Sequence, residues 1–208
     1  MMYNVIFDLG GVVFNWEPTA IIQSFVTELV TDPATQQALT DLVREQVFRH
    51  ADWVETDRGT LSAVDAIARF AARVGRPVED LQRLWDLCNT MMTPKIETIA
   101  LMQTLADRGV PLYCLSNMPV ERYTYLRQQH TFWPLFRGIV ISGEIQQIKP
   151  DVAIYHHLLQ RYGLKAEESI FLDDSPPNIA AANALGIHGI LFTEAAACRA
   201  ELGQWLAI

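Results

Sequence analysis

Five short runs rich in β-branched and aromatic residues limit the possible folds of this chain more than any other feature. Each run has the length and residue types of a strand buried on both faces of a sheet. Four of the five come after residue 105, and helical patterns at about 120–129, 152–162 and 178–185 separate them. This alternation predicts a doubly wound parallel α/β sheet. The five predicted strands span residues 5–9, 111–115, 138–141, 169–172 and 189–192.

The segment from about residue 17 to residue 92 has helical periodicity and no convincing strand. Helix-breaking residues at 32–33, 57–60 and 75–77 divide it into about four helices, and Thr60 or Ser62 is a suitable N-cap for the third. We therefore predict a core domain formed by residues 1–15 and 93–208. A helical cap domain, residues 16–92, is inserted after the first strand, and the chain re-enters the core near Thr93.

Length and composition are those of a soluble globular protein. Half of the 208 residues are hydrophobic, which is enough for one core and a smaller appended unit. No apolar run approaches the ~20 residues that span a bilayer, so no membrane partner is expected. The N-terminus shows no secretory signal, which predicts a cytoplasmic protein. Cys88, Cys114 and Cys198 have no paired spacing, and we expect them to be reduced and structural.

The chain is acidic, with a formal net charge of −8 and a pI near 5.0. Binding to nucleic acid requires clustered Lys and Arg, so nucleic acid is not an expected partner. A small phosphorylated substrate remains compatible with this charge, because a bound divalent cation can reverse the local potential.

Polar residues follow the predicted strands at the edge of the sheet where ligands bind. In an open parallel sheet this edge lies at the carboxyl ends of the strands, near the point where the strand order reverses. Carboxylates, a hydroxyl group, an amide and a lysine are all predicted to meet there. The candidate residues are Asp8, Gly10, Ser116, Asn117, Lys149, Asp173 and Asp174.

Each of these residues also has a purely structural interpretation. Asp8 could be a turn residue before two glycines, and the other polar groups could cap helices. Local capping does not explain why so many different polar groups converge on one edge. The candidate caps are Ser116 or Asn117 for the helix after Pro119, Asp151 for the next helix, and Asp174 or Ser175 before Pro176.

A phosphoryl-transfer site explains the convergence. Three carboxylates near one point repel one another unless a hard cation such as Mg²⁺ is held between them. Asp8 could then attack phosphorus in line, while Ser116 and the backbone at Asn117 hold non-bridging oxygens. Lys149 would offset the charge on the phosphoryl group and on the nucleophile.

Four motifs, in this order, resemble those of the haloacid dehalogenase superfamily: FDLGGVV at Asp8, LSN at Ser116, QQIKP at Lys149 and FLDDS at Asp173 and Asp174. The resemblance covers the whole chain and implies a Rossmann-like core with an inserted cap. It also implies a phosphatase that is transiently phosphorylated on its first aspartate.

The resemblance further implies how a magnesium ion is bound. The ligands would be a carboxylate oxygen of Asp8, the backbone carbonyl of Gly10 and the Asp174 carboxylate. Asp173 would act through water or by holding Lys149. Within the superfamily, IKPDVAIY and the RGTLS segment after Trp53 are similar to the corresponding segments of bacterial α-D-glucose-1-phosphate phosphatases. This similarity implies a sugar phosphate substrate.

Gly10 departs from the superfamily pattern. Most of its phosphatases carry there a second aspartate that protonates the leaving oxygen, and glycine has no proton to give. Three interpretations remain open. The leaving group could be acidic, as in a sugar 1-phosphate, or the cap could supply the proton through His50, Glu55 or Glu17. Alternatively, the protein could be an inactive binding module.

A metal-independent 2-haloacid dehalogenase is the enzymatic alternative, since that reaction also uses an aspartate nucleophile. It would leave the charges of Asp173 and Asp174 uncompensated beside Asp8, which favours the phosphatase.

In the cap, tryptophans at helical spacing are usually core residues. We expect only Trp16 or Trp53, and not Trp85, to face the cleft.

Overall fold

The computed structural model describes residues 3–206, so the first two and last two residues of the predicted core ranges lie outside the described part. Five parallel strands form one sheet in the order β3-β2-β1-β4-β5. The predicted α/β fold is confirmed, and every predicted run overlaps an observed strand. The strands are β1 (Asn4–Phe7), β2 (Leu112–Ser116), β3 (Phe136–Ile141), β4 (Ser169–Asp173) and β5 (His188–Leu191).

The insertion after β1 is helical, as predicted, but it contains one more α-helix than expected. The additional break lies at His50, whose backbone is extended and whose Nδ1 accepts a hydrogen bond of 3.1 Å from the Asp52 amide. A five-residue π-helical turn, Arg44–Phe48, precedes this break. The helices are α1 (Pro18–Leu29), α2 (Pro33–Val43), α3 (Ala51–Arg58), α4 (Ala63–Val74) and α5 (Val78–Thr90).

Helices of the core pack on both faces of the sheet, and β2 and β4 are buried along their whole length. Burial on both faces is the reason for the apolar, β-branched composition of the strands. The core helices are α6 (Ile96–Asp107), α7 (Val120–Gln129), α8 (Ser142–Ile145), α9 (Val152–Tyr162), α10 (Pro176–Ala184) and α11 (Ala195–Leu202).

The helical insertion has a hydrophobic cluster of its own, in which Phe25, Trp53, Phe70 and Trp85 are the buried aromatic side chains. Its two connections to the core lie side by side. The Asn15 amide donates to the Thr93 carbonyl at 2.8 Å, and the Lys95 amide donates to the Val13 carbonyl at 2.8 Å. These bonds fix where the insertion leaves the sheet and where the chain returns.

The three cysteines are buried and form no disulfide, which confirms the prediction for them. Burial raises the pKa of the Cys88 thiol to about 12 and that of the Cys198 thiol to about 11, so both stay protonated near neutral pH. Within residues 3–206, every helix is too short or too polar to cross a membrane.

Candidate active site

The central strand β1 lies between β2 and β4. Strands β2 and β3 extend the sheet on one side of β1, and β4 and β5 extend it on the other, so the strand order reverses at β1. Asp8 directly follows β1, Ser116 ends β2 and Asp173 ends β4. These three side chains therefore meet at the carboxyl edge of the sheet, where a crevice is expected. The structure brings the predicted residues together at this edge, while their catalytic and binding roles stay predictions.

Lys149 is the cation of the site and is only 4% exposed. Its Nζ lies 2.9 Å from Asp8 Oδ1 and 2.6 Å from Asp173 Oδ2, and it donates to the Leu115 carbonyl at 3.0 Å. Three acceptors at these distances use all three ammonium hydrogens. The ammonium is therefore held next to the Asp8 carboxylate in a fixed geometry.

Asn117 holds the backbone of Lys149. Its Nδ2 donates to the Lys149 carbonyl at 2.9 Å, and its Oδ1 accepts from the Lys149 amide at 2.8 Å. Both ends of the amide side chain are thus used inside the protein. These two bonds fix the orientation of the Asn117 side chain, which is compatible with the predicted contact between its backbone and a substrate.

Asp173 is fully buried, and its carboxylate has several donors. Besides Lys149, the Ser175 amide donates to it at 2.8 Å and Asn178 Nδ2 donates at 3.0 and 3.1 Å. Hydrogen bonds to a carboxylate favour its charged form. These bonds support the interpretation in which Asp173 orients Lys149 and does not bind a metal directly.

Asp8, Asp173 and Asp174 can each offer a carboxylate oxygen within 4.8 Å of the others. Lys149 pairs with the first two, so Asp174 has no salt bridge within residues 3–206. Gly11, at φ +76°, allows the close approach of Asp174, because a Cβ there would overlap its carboxylate. This set of hard oxygen donors with one unpaired charge fits a divalent cation such as Mg²⁺.

Burial raises the pKa of Asp8 to about 7. The ammonium of Lys149 and a hydrogen bond from Ser116 act in the opposite direction, while the charge of Asp173 raises the pKa further. The Leu9 amide also donates to Asp8 Oδ1 at 2.7 Å. Asp8 thus occupies an environment in which an additional positive charge would stabilise its carboxylate.

The capping roles considered as alternatives do not form. Asp151 and Ser175 precede α9 and α10, but neither side chain makes a capping hydrogen bond, and Pro119 precedes α7. Local capping therefore does not account for the polar residues at this edge.

The carboxylates open into a cavity of about 180 Å³ between the sheet edge and the helical insertion. Trp16 and Trp53 line it, as predicted, whereas Trp85 is buried in the cluster of the insertion. Two tryptophans and two methionines thus contribute to the lining beside the polar residues. The lining residues are Asp8, Gly10, Trp16, Trp53, Asp57, Met92, Ser116, Asn117, Met118, Arg122 and Asp174.

His50, Glu55 and Glu17, the three residues suggested as proton donors, do not line this cavity. His50 caps α3, and Glu55 accepts a hydrogen bond from the Thr60 hydroxyl and lies 3.7 Å from Arg58. Glu17 is exposed at the start of α1. Local partners account for His50 and Glu55, and the position of Glu17 at the surface does not indicate a role in this cavity.

Two charged residues in the cavity were missed by sequence reasoning. In the sequence, Asp57 belongs to the helix-breaking segment 57–60, and no functional role was predicted for it. The Arg-Gly pair that follows Asp57 and ends the helix is the signal that could have drawn attention to it. Arg122 is 3% exposed, and its guanidinium lies 5.3, 5.3 and 5.0 Å from the ring centroids of Trp16, Trp53 and Trp85. No local pattern predicts such a stack, because its members are distant in sequence.

A larger cavity of about 600 Å³ lies elsewhere, between α6 and α11. Its lining includes Lys95, Glu97, Glu194 and Arg199 but none of the three clustered aspartates. We place the active site in the smaller cavity, because only there does a buried carboxylate lie beside a paired lysine and a free carboxylate.

Comparisons with known proteins identify the family of this chain. Residues 4–186 match the family of haloacid dehalogenase-like hydrolases. A sesquiterpene phosphatase of Aspergillus oryzae is 31% identical over 96% of this chain and 94% of its own length. A phosphoglycolate phosphatase of Pseudomonas putida is 25% identical over 91% of this chain and 68% of its own length.

A similar fold occurs in a haloacid dehalogenase family enzyme of Bacteroides thetaiotaomicron, solved with magnesium and inorganic phosphate. It is 19% identical, with a TM-score of 0.73 over 93% of this chain and 95% of its own. At this identity the likeness supports the fold alone.

Proposed function

This chain belongs to the haloacid dehalogenase-like hydrolases, and from that premise we propose that it is a Mg²⁺-dependent phosphatase that forms an aspartyl phosphate on Asp8. One observation supports this most directly: the buried Lys149 pairs with Asp8 and Asp173, while Asp174 lies within reach of both and has no salt bridge among the described residues 3–206. A nucleophile, a fixed cation and a free metal ligand are the parts that phosphoryl transfer needs.

Each residue has a role in this proposal. An Asp8 carboxylate oxygen attacks phosphorus, and Lys149 balances negative charge at the nucleophile and at the phosphoryl oxygens. The Ser116 hydroxyl and the Asn117 backbone hold the non-bridging oxygens. Asp173 keeps Lys149 in position through its 2.6 Å contact.

The metal site would consist of the Asp8 carboxylate, the Gly10 carbonyl and the Asp174 carboxylate. When bound there, Mg²⁺ would neutralise charge on the phosphoryl oxygens and reduce the repulsion between substrate and carboxylates. The similarly folded enzyme of Bacteroides thetaiotaomicron was solved with magnesium and inorganic phosphate, and we propose the same metal for this site because the oxygen donors of Asp8 and Asp174 suit it.

For the substrate, two small phosphorylated metabolites are candidates. The sequence motifs favour a sugar phosphate such as glucose 1-phosphate. The name of the Aspergillus oryzae relative, a sesquiterpene phosphatase, favours a phosphate ester of an apolar alcohol, and the lining residues Trp16, Trp53, Met92 and Met118 are compatible with such a substrate. Aromatic faces can contact either a sugar ring or a hydrocarbon chain, so the lining alone does not choose between them.

Arg122 is proposed to contact the substrate. Its Nε donates to Asn89 Oδ1 at 3.0 Å, whereas its Nη2 is buried without a hydrogen-bond partner in the part of the chain that the structure describes. A buried donor without an acceptor is costly, so a substrate oxygen is a suitable partner for it.

Phosphate release from a panel of esters, measured with and without Mg²⁺, tests the proposal. The panel contains glucose 1-phosphate, glucose 6-phosphate, a farnesyl monophosphate and p-nitrophenyl phosphate. We expect turnover only with Mg²⁺, and no turnover of any ester would contradict the proposal. Chloride release from 2-chloropropionate without metal would identify a dehalogenase, and Mg²⁺ binding without turnover would indicate a binding module.

Two further statements are proposals of the same kind. The division into a core of residues 1–15 and 93–208 and a cap of residues 16–92 is supported by the separate hydrophobic cluster of the insertion. A cytoplasmic location is supported by three buried cysteines that are all unpaired.

A further inference from the structure

Asp57 lies at the end of α3 in the insertion, and its side chain lines the same cavity as Asp8 and Gly10. We propose that Asp57 is the proton donor that Gly10 cannot be: it protonates the leaving oxygen and later takes a proton from the attacking water. This inference rests on the proposed phosphatase function and names a catalytic residue for it.

The core holds the end of α3 in place. The Ser142 hydroxyl donates a hydrogen bond to the Asp57 carbonyl, and Arg58 Nη1 lies 3.3 Å from Asp151 Oδ2. Gly59, at φ +81°, packs so closely on the backbone of Gly143 that a Cβ would overlap it. Contacts of Asp57, Arg58 and Gly59 with the core therefore hold this end of the helix against the sheet domain. Asp57 lies in the cavity without any movement of the insertion.

The surroundings of Asp57 suit a group that must be protonated at one step and ionised at the next. Burial raises its pKa to about 7, and the charge of Asp8 adds to this effect. The Arg122 guanidinium on α7 and a hydrogen bond from the Trp53 side chain limit the rise. On α5, Cys88 faces the same region but stays neutral. A pKa near the working pH is what general acid and base catalysis requires.

The two steps balance in atoms and charge. In the first, an Asp8 oxygen bonds to phosphorus, the bond from phosphorus to the leaving oxygen breaks, and that oxygen takes the Asp57 proton to give the alcohol. In the second, water attacks phosphorus and gives a proton to the Asp57 carboxylate. The bond from phosphorus to Asp8 then breaks, which releases inorganic phosphate and restores both carboxyl groups.

A purely structural role as counterion for Arg122 is the alternative. The guanidinium makes no ion pair with Asp57 within 4.0 Å, and it is already packed between indole rings and bonded to Asn89. Loss of a counterion for Arg122 would not slow substrates in order of the acidity of their leaving groups. Loss of a proton donor slows a substrate in proportion to how poorly its leaving oxygen bears negative charge.

Asp57→Asn, assayed with Mg²⁺ on alkyl and aryl phosphates of graded leaving-group acidity, separates these roles. We expect kcat/KM for alkyl phosphates to fall by ~10²–10⁴ and kcat/KM for p-nitrophenyl phosphate to change by less than about threefold. Glu55→Gln is the matched control, since this carboxylate lies on the same helix outside the cavity, and it should behave as wild type. Calorimetry should show equal Mg²⁺ affinity in wild type and both variants.

The wild-type enzyme provides a second test that does not depend on how the variant folds. The ratio of kcat/KM for an alkyl phosphate to that for p-nitrophenyl phosphate should fall as the pH rises through about 7, because the donor loses its proton. A constant ratio, an equal loss for all esters in Asp57→Asn, or no loss at all would overturn the assignment. A wild type without activity on any ester would instead refute the phosphatase itself.

Discussion

The two sides of the cavity are built in different ways. On the sheet side, the carboxylates and Lys149 are connected by short hydrogen bonds, and several of these go to the backbone next to the strand ends. On the opposite side, Trp16, Trp53 and Asp57 come from one stretch of the insertion and its connection, and Arg122 packs against the two indoles. In the function that we propose, the sheet side would hold the phosphoryl group and the other side would contact the rest of the substrate.

This difference predicts two kinds of mutational effect. Changes on the sheet side should affect every phosphate ester alike, because all esters share the phosphoryl group. Changes on the opposite side should depend on the leaving group or on its size, because only that part of the substrate varies. A sheet-side variant whose effect depends on the leaving group, or a variant on the opposite side that affects every ester alike, would show that the two sides do not act independently.

The largest effect is expected for Asp8→Asn. The amide is nearly the same size as the carboxylate but is a poor nucleophile, so kcat should fall by roughly 10⁴-fold or more for every ester. Phosphate release measures the loss, and circular dichroism should show an intact fold. Activity above a few per cent of wild type would exclude Asp8 as the nucleophile.

Asp174→Ala should weaken both Mg²⁺ binding and activity, since it removes a charged ligand from a hard cation. We expect the dissociation constant, measured by calorimetry, to rise by more than about 100-fold. Asp173→Asn should have a smaller effect on metal affinity, about 10-fold, because Asp173 acts through Lys149. Equal metal affinity in wild type and Asp174→Ala would mean that the metal site is placed wrongly.

The same two sides differ in how well the sequence predicted them. Asp8, Ser116 and Asp173 could be predicted to meet because they lie at the ends of parallel strands, which always share one edge of a sheet. Asp57 and Arg122 come together only through the packing of α3 against the core. No sequence period encodes this packing, so Asp57 was not among the candidate proton donors His50, Glu55 and Glu17, which were themselves one of three interpretations left open.

Arg122→Lys tests whether the guanidinium contacts substrate. Lysine keeps the charge but lacks the planar group with its additional donor. We expect KM to rise by about 10-fold, with kcat reduced less, because a hydrogen bond to a charged group is lost in the ground state and the transition state alike. Arg127→Lys on the same helix, where Arg127 lies over the Tyr123 ring, is the matched control and should leave KM unchanged.

The smallest effect concerns the stability of the metal-free protein. The folded-state pKa of Asp57 is about 7 and its ordinary value is 3.8, so the folded state binds this proton more tightly than the unfolded state does. The stability that the protonated group contributes is complete below pH 3.8 and is lost progressively as the pH rises to about 7. The amide introduced by Asp57→Asn is neutral at every pH, so this variant should escape the loss.

The melting temperature of Asp57→Asn relative to wild type should therefore increase between pH 5 and pH 7 and stay constant above that range. The free energy involved is of the order of 1–4 kcal/mol, which corresponds to a few degrees for a chain of this length. Glu55→Gln should show no such change. A variant that is less active on alkyl phosphates but more stable near neutral pH would identify Asp57 as a residue kept for catalysis at the expense of stability. A difference independent of pH would mean that Asp57 ionises in the folded protein as it does in the unfolded chain.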